Sequence, residues 1–159
     1  MPKPVPTLIL KHFDINQDDY AKLGQYQVVT CIEVIEHIEN IGRLLDLIKG
    51  TLKPNGLCII TTPNIESLRA RTRALLNGKI PSFDEKSDPT HLMPILQDTL
   101  AKMLARRKMK ISETLQYPDN KNQSIQYRTS VRLLARVLGL ILSDELYGDN
   151  SIYLITHAE

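Results

Sequence analysis

The stretch VVTCIEVIEHIENIGRLLDLIKGTLKPNGLCIITTPN, residues 28–64, decides the fold class. Continuous apolar runs at 28–32 and 57–61 are typical of strands that are buried on both faces. Between them, apolar residues recur at spacings of three and four, which indicates an amphipathic helix over 38–52. The sequence Lys53-Pro54-Asn55-Gly56 then predicts a turn. Strand, helix and strand in this order predict a βαβ unit with a right-handed crossover in an α/β sheet.

The remaining sequence extends this pattern over the whole chain. We expect further strands at 8–10, 110–117 and 152–156, and further helices at 65–76, 96–107 and 127–146. A loop is predicted at 78–93 because this segment has two prolines and mixed charge. The apolar helix at 127–146 would belong to a helical insertion at about 119–148. We therefore predict one domain over residues 1–159.

Composition excludes several classes of protein. The 159 residues are 42% hydrophobic and 24% charged, which is typical of a globular chain and excludes a disordered one. A net charge of +2 is too balanced to indicate nucleic acid or a membrane by itself. Cys31 and Cys58 lie inside apolar runs, where reduced, buried thiols are expected. Because no apolar stretch is long enough to cross a bilayer, we predict a soluble, cytoplasmic protein.

A cluster of ligand-type residues follows the first strand of the βαβ unit. Glu33, Glu36 and His37 are three and four residues apart, so on a helical turn they share one side. His91 could join them from the later loop, and carboxylates with imidazoles suit Mg²⁺, Mn²⁺, Fe²⁺ or Zn²⁺. The alternative is structural: acids favoured in the first turn of a helix, beside a hydrogen-bonded histidine. Both interpretations remain open from spacing alone.

A basic pattern marks the later apolar helix. Arg128, Arg132 and Arg136 recur every four residues. Such a row is typical of a solvated face over a core helix, which we favour. A helix that lies on a membrane surface has the same pattern, so a lipid-facing role is the weaker alternative.

The order and spacing of these segments resemble a class I S-adenosylmethionine-dependent methyltransferase. The resemblance rests on 28–38, on 52–57, on Thr61-Thr62-Pro63-Asn64 and on Asp88-Pro89-Thr90-His91-Leu92. It is nearest to the branch of ubiquinone-biosynthesis O-methyltransferases and small-RNA 2′-O-methyltransferases. The resemblance implies a Rossmann-like sheet, mostly parallel with an antiparallel C-terminal strand.

The same resemblance implies which residues would form the site. A divalent cation such as Mg²⁺ would be bound by Glu33, Glu36, His37 and His91. S-adenosylmethionine would lie against Asp14, Ile15, Cys31, Ile32 and Glu33, with Asp14 facing the adenine. No catalytic residue and no methyl acceptor is indicated.

The sequence also departs from the family pattern. The seven glycines stand apart, so the glycine-rich cofactor loop is missing, as is the acid that holds the ribose. We therefore predict a sheet that lacks the first two strands and the first helix, with weak cofactor binding. The strand at 28–32 would then lie at an apolar edge, which we expect residues 8–10 or a second copy of the chain to cover.

Two functions follow from this resemblance. The first is an S-adenosylmethionine-dependent methyltransferase, or a shortened form of one, with an unknown acceptor. The second is a catalytically inactive module with the methyltransferase fold that acts as a structural or interaction partner.

Overall fold

In the computed structural model, the described part of the chain comprises residues 12–15, 23–118 and 148–158, with helical residues at 129, 130, 133, 134 and 137. These residues form a sheet with helices packed against it. The strands are β1 (Tyr26–Ile32), β2 (Leu52–Pro63), β3 (Met109–Tyr117) and β4 (Asn150–His157). The helices are α1 (Ile41–Thr51), α2 (Leu68–Asn77) and α3 (Gln97–Ala105), and a short 3-10 helix spans Ile35–His37.

The strands lie in the order β1-β2-β4-β3. Strands β1 and β2 are parallel, and β4 is antiparallel to both of its neighbours, β2 and β3. Consequently β1, β2 and β3 all run in one direction and β4 runs against them. The prediction of a mostly parallel α/β sheet with an antiparallel C-terminal strand is confirmed.

Strand β2 corrects one detail of the predicted βαβ unit. The expected turn at residues 53–56 is wrong, because β2 begins at Leu52 and continues through this segment. Tyr26 is paired with Leu52 and Val28 with Leu57, so the extra residues of β2 form an irregularity opposite β1. A Cβ at Gly56 would lie 2.7 Å from the Leu52 side chain, so glycine keeps the irregularity tight.

Polar capping residues determine where α1 and α2 begin, and both helices begin later than the apolar periodicity predicts. Helix α1 begins at Ile41, not at residue 38, because the Asn40 side chain accepts a hydrogen bond from the Arg43 N–H at 3.0 Å. Ser67 caps α2 in the same way through the Ala70 N–H at 3.2 Å. These caps leave the residues after β1 and β2 outside the long helices, where their side chains are free to form a site.

The hydrophobic core lies between one face of the sheet and the helices. Its fully buried members include Leu45 of α1, Leu104 of α3, and Cys58, Ile60 and Ile155 of the strands. Cys31 and Cys58 are buried free thiols, as predicted. The opposite face of β1 is uncovered, with Tyr26, Val28 and Ile32 each about half exposed.

Some predictions fall outside the described residues. These are the strand at 8–10, most of the helix at 127–146, and Arg128, Arg132 and Arg136. Within the described part of the chain, none of the helices combines the length and the apolar character needed to cross a membrane.

Candidate functional site

The carboxyl ends of β1 and β2 are joined directly after β1 ends. The Glu33 N–H donates to the Thr61 carbonyl at 3.3 Å and to the Thr61 hydroxyl oxygen at 3.0 Å. The Thr61 hydroxyl in turn donates to Glu33 Oε1 at 2.6 Å. Glu33 has a φ of 49°, a left-handed conformation that is uncommon for a non-glycine residue. The β2 threonine therefore fixes both the backbone and the carboxylate of Glu33.

Glu36 is the most unusual residue of the site. Its side chain is fully buried on the short 3-10 helix, and neither carboxylate oxygen has a hydrogen-bond partner among the described residues. Burial is the main cause that raises the pKa of the Glu36 carboxyl above its usual value, and the nearby charge of Glu33 adds to this rise. The backbone N–H of Glu36 itself and, less strongly, the Thr62 hydroxyl oppose the rise, although Thr62 does not reach hydrogen-bond geometry with the carboxylate. A carboxylate buried without partners among the described residues is costly when it is ionised, and a bound cation would offset this cost.

Backbone hydrogen bonds bring the later loop to Glu36. The N–H groups of Leu92 and Met93 both donate to the Glu36 carbonyl, at 2.9 and 3.0 Å. These two hydrogen bonds hold His91 beside His37, with the two ring centroids 4.7 Å apart and the ring planes at 69°. Residues more than fifty positions apart in the sequence thus meet at one point.

Glu36, His37 and His91 together form a group with metal-binding spacing. One ligand atom from each lies within 4.8 Å of the others. The sequence prediction placed four residues in this site, and the structure brings three of them together. The fourth, Glu33, is not in the group, and its carboxylate accepts the Thr61 hydroxyl instead.

The Nδ1 atom of each histidine lies within hydrogen-bond distance of a backbone carbonyl. His37 Nδ1 lies 3.1 Å from the Thr90 carbonyl, and His91 Nδ1 lies 2.8 Å from the Ser82 carbonyl. His37 Nδ1 also lies 2.8 Å from the Thr90 hydroxyl oxygen. Because a carbonyl only accepts, this geometry assigns the N–H of each ring to Nδ1 and leaves Nε2 as the atom that could bind a ligand. The Thr90 hydroxyl donates to Asp88 at 2.6 Å, and the hydrogen bonds from Thr90 hold the pKa of that carboxyl below its usual value.

These residues fit a divalent cation. Metal-binding histidines commonly donate their other N–H to a carbonyl or carboxylate, as both rings do here. The Glu36 oxygens, which have no partner among the described residues, would supply the anionic ligand. The mixed oxygen and nitrogen set suits Mn²⁺, Fe²⁺ or Zn²⁺, and Mg²⁺ with added waters.

The residues predicted to contact the cofactor lie at or near the same end of the sheet. Cys31 is buried, Ile32 is half exposed and Glu33 is partly buried. The Ile15 carbonyl accepts a hydrogen bond from the Arg43 side chain of α1, and the Ile15 side chain packs against the core that includes Cys31. Asp14 is also partly buried in this short segment.

A groove of about 530 Å³ lies between the first turns of α1 and α3, next to the cluster. Its wall includes Met93, whose backbone contacts Glu36, and apolar residues of both helices. This volume is in the usual range for small-molecule sites. The residues that line it include Ile41, Met93, Ile95, Leu96, Leu100 and Met103.

Thr61, Ser82 and Thr90 support the site through hydrogen bonds that were not predicted from the sequence. Thr90 carried a usable signal, because Asp88-Pro89-Thr90 has the pattern of a turn in which an aspartate accepts from the residue two positions later. Ser82 carried none, since its carbonyl rather than its side chain contacts His91.

A family model described as "Methyltransferase domain" matches residues 4–134. The chain belongs to the methyltransferase domain family. Among curated proteins, a ubiquinone biosynthesis O-methyltransferase of Rickettsia conorii is 55% identical over 51 residues, which are 31% of this chain and 17% of the relative. The corresponding protein of Psychrobacter cryohalolentis is 33% identical over 58 residues, or 36% of this chain and 23% of the relative. The matched segments thus span less than a quarter of these relatives.

Solved structures agree on the fold. A small RNA methyltransferase superposes with a TM-score of 0.53 at 18% identity, covering 92% of this chain and 15% of that one. An S-adenosylmethionine-dependent methyltransferase from Clostridium acetobutylicum gives 0.51 at 11% identity, covering 89% and 63%. The predicted family and its Rossmann-like fold are confirmed.

Proposed function

We propose that this chain supplies the metal-binding and acceptor-activating part of an S-adenosylmethionine-dependent O-methyltransferase. The observation that carries the proposal is the buried carboxylate of Glu36 beside His37 and His91, which has no hydrogen-bond partner in the part of the chain that the structure describes. The family membership and the ubiquinone-biosynthesis relatives support transfer to an oxygen acceptor.

The residues of the site would have separate tasks. Glu36, His37 and His91 would hold the cation, and the Nδ1 hydrogen bonds keep both Nε2 lone pairs available. When bound, the cation would orient an acceptor hydroxyl and lower its pKa, while S-adenosylmethionine supplies the methyl group. Thr61 holds Glu33 at the end of β1, where the carboxylate would face the methionine part of the cofactor. The groove beside Met93 would take an apolar part of the acceptor.

A methyl-transfer assay tests this function. The chain is incubated with catechol, Mn²⁺ and radiolabelled S-adenosylmethionine, and labelled product is counted. We expect transfer that EDTA abolishes, lost in Glu36→Gln and retained in Glu113→Gln, which changes an exposed acid of β3 outside the groove. Transfer that is unaffected by EDTA would contradict the metal-dependent mechanism.

The inactive-module alternative has a distinct signature. Calorimetry with S-adenosylhomocysteine separates it from the enzyme, because a module that only provides structure binds neither this product nor Mn²⁺. We expect cofactor binding weaker than micromolar, since the glycine-rich loop of the family is not in this sequence.

We also propose that a second copy of the chain covers β1. This strand is at the end of the described sheet order, and Tyr26, Val28 and Ile32 are about half exposed on one face. Sedimentation equilibrium should show a dimer that Val28→Lys weakens and that Leu75→Lys, at the most exposed leucine of α2, leaves intact. A strictly monomeric wild-type chain would contradict this arrangement. We also propose a cytoplasmic location, which the two buried free thiols support.

A further inference from the structure

The loop at residues 80–88 contacts the His91 ring on two sides. The Ser82 carbonyl accepts the hydrogen bond from His91 Nδ1 at 2.8 Å. The Phe83 ring packs against the imidazole with centroids 5.5 Å apart and planes tilted at 40°. With His37 at 4.7 Å on another side, the rotation of His91 is restricted.

Ser82 adopts a backbone conformation that needs support. Its φ of 66° lies in the left-handed region, which a non-glycine residue rarely adopts. The adjacent Phe83 N–H donates to the Ile80 carbonyl at 3.3 Å, which closes a turn around Ser82. This turn directs the Ser82 carbonyl toward His91.

An ion pair ties this loop to α2. Asp84 accepts from the Arg73 guanidinium, and both side chains are largely shielded from solvent. Asp84 also accepts from the Lys86 N–H at 3.0 Å and the Ser87 hydroxyl at 3.1 Å. The Lys86 N–H is the main cause that holds the pKa of the Asp84 carboxyl below its usual range, so Asp84 stays charged toward Arg73.

We propose that Ser82, Asp84 and Arg73 are positioning residues that fix the ring orientation and tautomer of His91 for metal binding. This inference rests on the metal site of the proposed function. Arg73 pairs with Asp84 of the loop, so it would act on His91 through the loop. The orientation of a ligating histidine by its second nitrogen commonly changes metal affinity by about 10- to 100-fold.

Loop variants of the full chain test the proposal by calorimetry with MnCl₂. We expect Arg73→Met to weaken Mn²⁺ binding by about 10-fold. Arg71→Met is the matched control, because Arg71 lies on the same helix and pairs with Glu66 outside the loop. Arg73→Lys should recover part of the affinity. Thermal unfolding of each variant verifies that it folds.

Two substitutions at Ser82 separate backbone conformation from side-chain chemistry. Ser82→Gly should keep wild-type Mn²⁺ affinity, because glycine adopts a positive φ freely. Ser82→Val should lose affinity, because a β-branched residue resists this conformation. Equal affinities in the two variants would overturn the role of the Ser82 carbonyl.

Nitrogen NMR of the His91 ring gives a second readout that does not require metal. We expect the Nδ1-protonated tautomer in the wild type and a mixture of tautomers in Arg73→Met. If Arg73→Met leaves both the tautomer and Mn²⁺ affinity unchanged while His91→Ala abolishes binding, the positioning role is overturned and the metal site stands. If the wild-type chain binds no Mn²⁺, the metal site itself is overturned.

Discussion

The Thr61 hydroxyl and the Glu33 carboxylate are 2.6 Å apart, and the Glu33 N–H returns a hydrogen bond to the same hydroxyl oxygen at 3.0 Å. This reciprocal pair joins the carboxyl ends of two parallel strands at the point where the chain enters the site. It also holds Glu33 in its left-handed conformation.

We expect Thr61→Val to lower the free energy of unfolding by about 1–2 kcal/mol, because Glu33 loses a donor to its carboxylate and an acceptor for its N–H. Chemical denaturation measures this loss. Thr30→Val, at an exposed threonine of β1, is the control and should change stability by less than about 0.5 kcal/mol. Equal effects of the two substitutions would contradict a specific role for Thr61.

Glu36→Gln should stabilise the metal-free chain. The substitution replaces a carboxyl whose ionised form is disfavoured by burial and which has no hydrogen-bond partner among the described residues, and it keeps the side-chain volume. We expect the free energy of unfolding at pH 8 in EDTA to rise by about 1 kcal/mol. A loss of stability in Glu36→Gln would show that the carboxylate has a structural partner in the folded chain.

Arg107 joins the end of α3 to α1. Its guanidinium donates to both Asp46 oxygens, at 2.7 and 3.1 Å, and to the Gly42 carbonyl at 2.9 Å. Because the group is only partly buried, we expect Arg107→Met to cost about 1–2 kcal/mol in urea denaturation. Arg106→Met changes the exposed neighbour and should be close to neutral. Similar losses in both would contradict this assignment.

Alkaline unfolding should report on Cys58. Burial raises the pKa of this thiol from 9.0 to about 12. The unfolded chain therefore loses the Cys58 proton first, and the free energy of unfolding falls as the pH rises above 9. One thiol contributes a slope of up to about 1.4 kcal/mol per pH unit. We expect Cys58→Ala to have a shallower decline between pH 9 and 10.5 than the wild type, whatever its stability at pH 7. Parallel declines would contradict the shifted pKa.

The order of strands and helices could be predicted from the sequence because the strands are apolar runs and the helices have apolar residues at regular spacing. The turn predicted at residues 53–56 was wrong because turn-forming residues also suit an irregular strand, and only pairing with β1 decides between them. The start of α1 was predicted too early because the Asn40 side chain accepts a hydrogen bond from a backbone N–H. Apolar periodicity does not reveal such a cap.

The site could be predicted only in part, because backbone hydrogen bonds also determine its geometry. Residue types and spacing named Glu36, His37 and His91, but the meeting of two distant segments depends on the Leu92 and Met93 N–H groups binding one carbonyl. Backbone hydrogen bonds of this kind do not depend on the type of side chain, so the residue types do not reveal them. The same is true of the hydrogen bond between the Ser82 carbonyl and His91.

Electron paramagnetic resonance of Mn²⁺ titrated into the full chain tests for the metal site itself, because free Mn²⁺ is counted without any assumption about activity. We expect one bound Mn²⁺ per chain, lost in Glu36→Gln and in His91→Ala and retained in Glu39→Gln. A wild-type chain that leaves all Mn²⁺ free, or equal binding by all four proteins, would contradict a metal site at Glu36, His37 and His91.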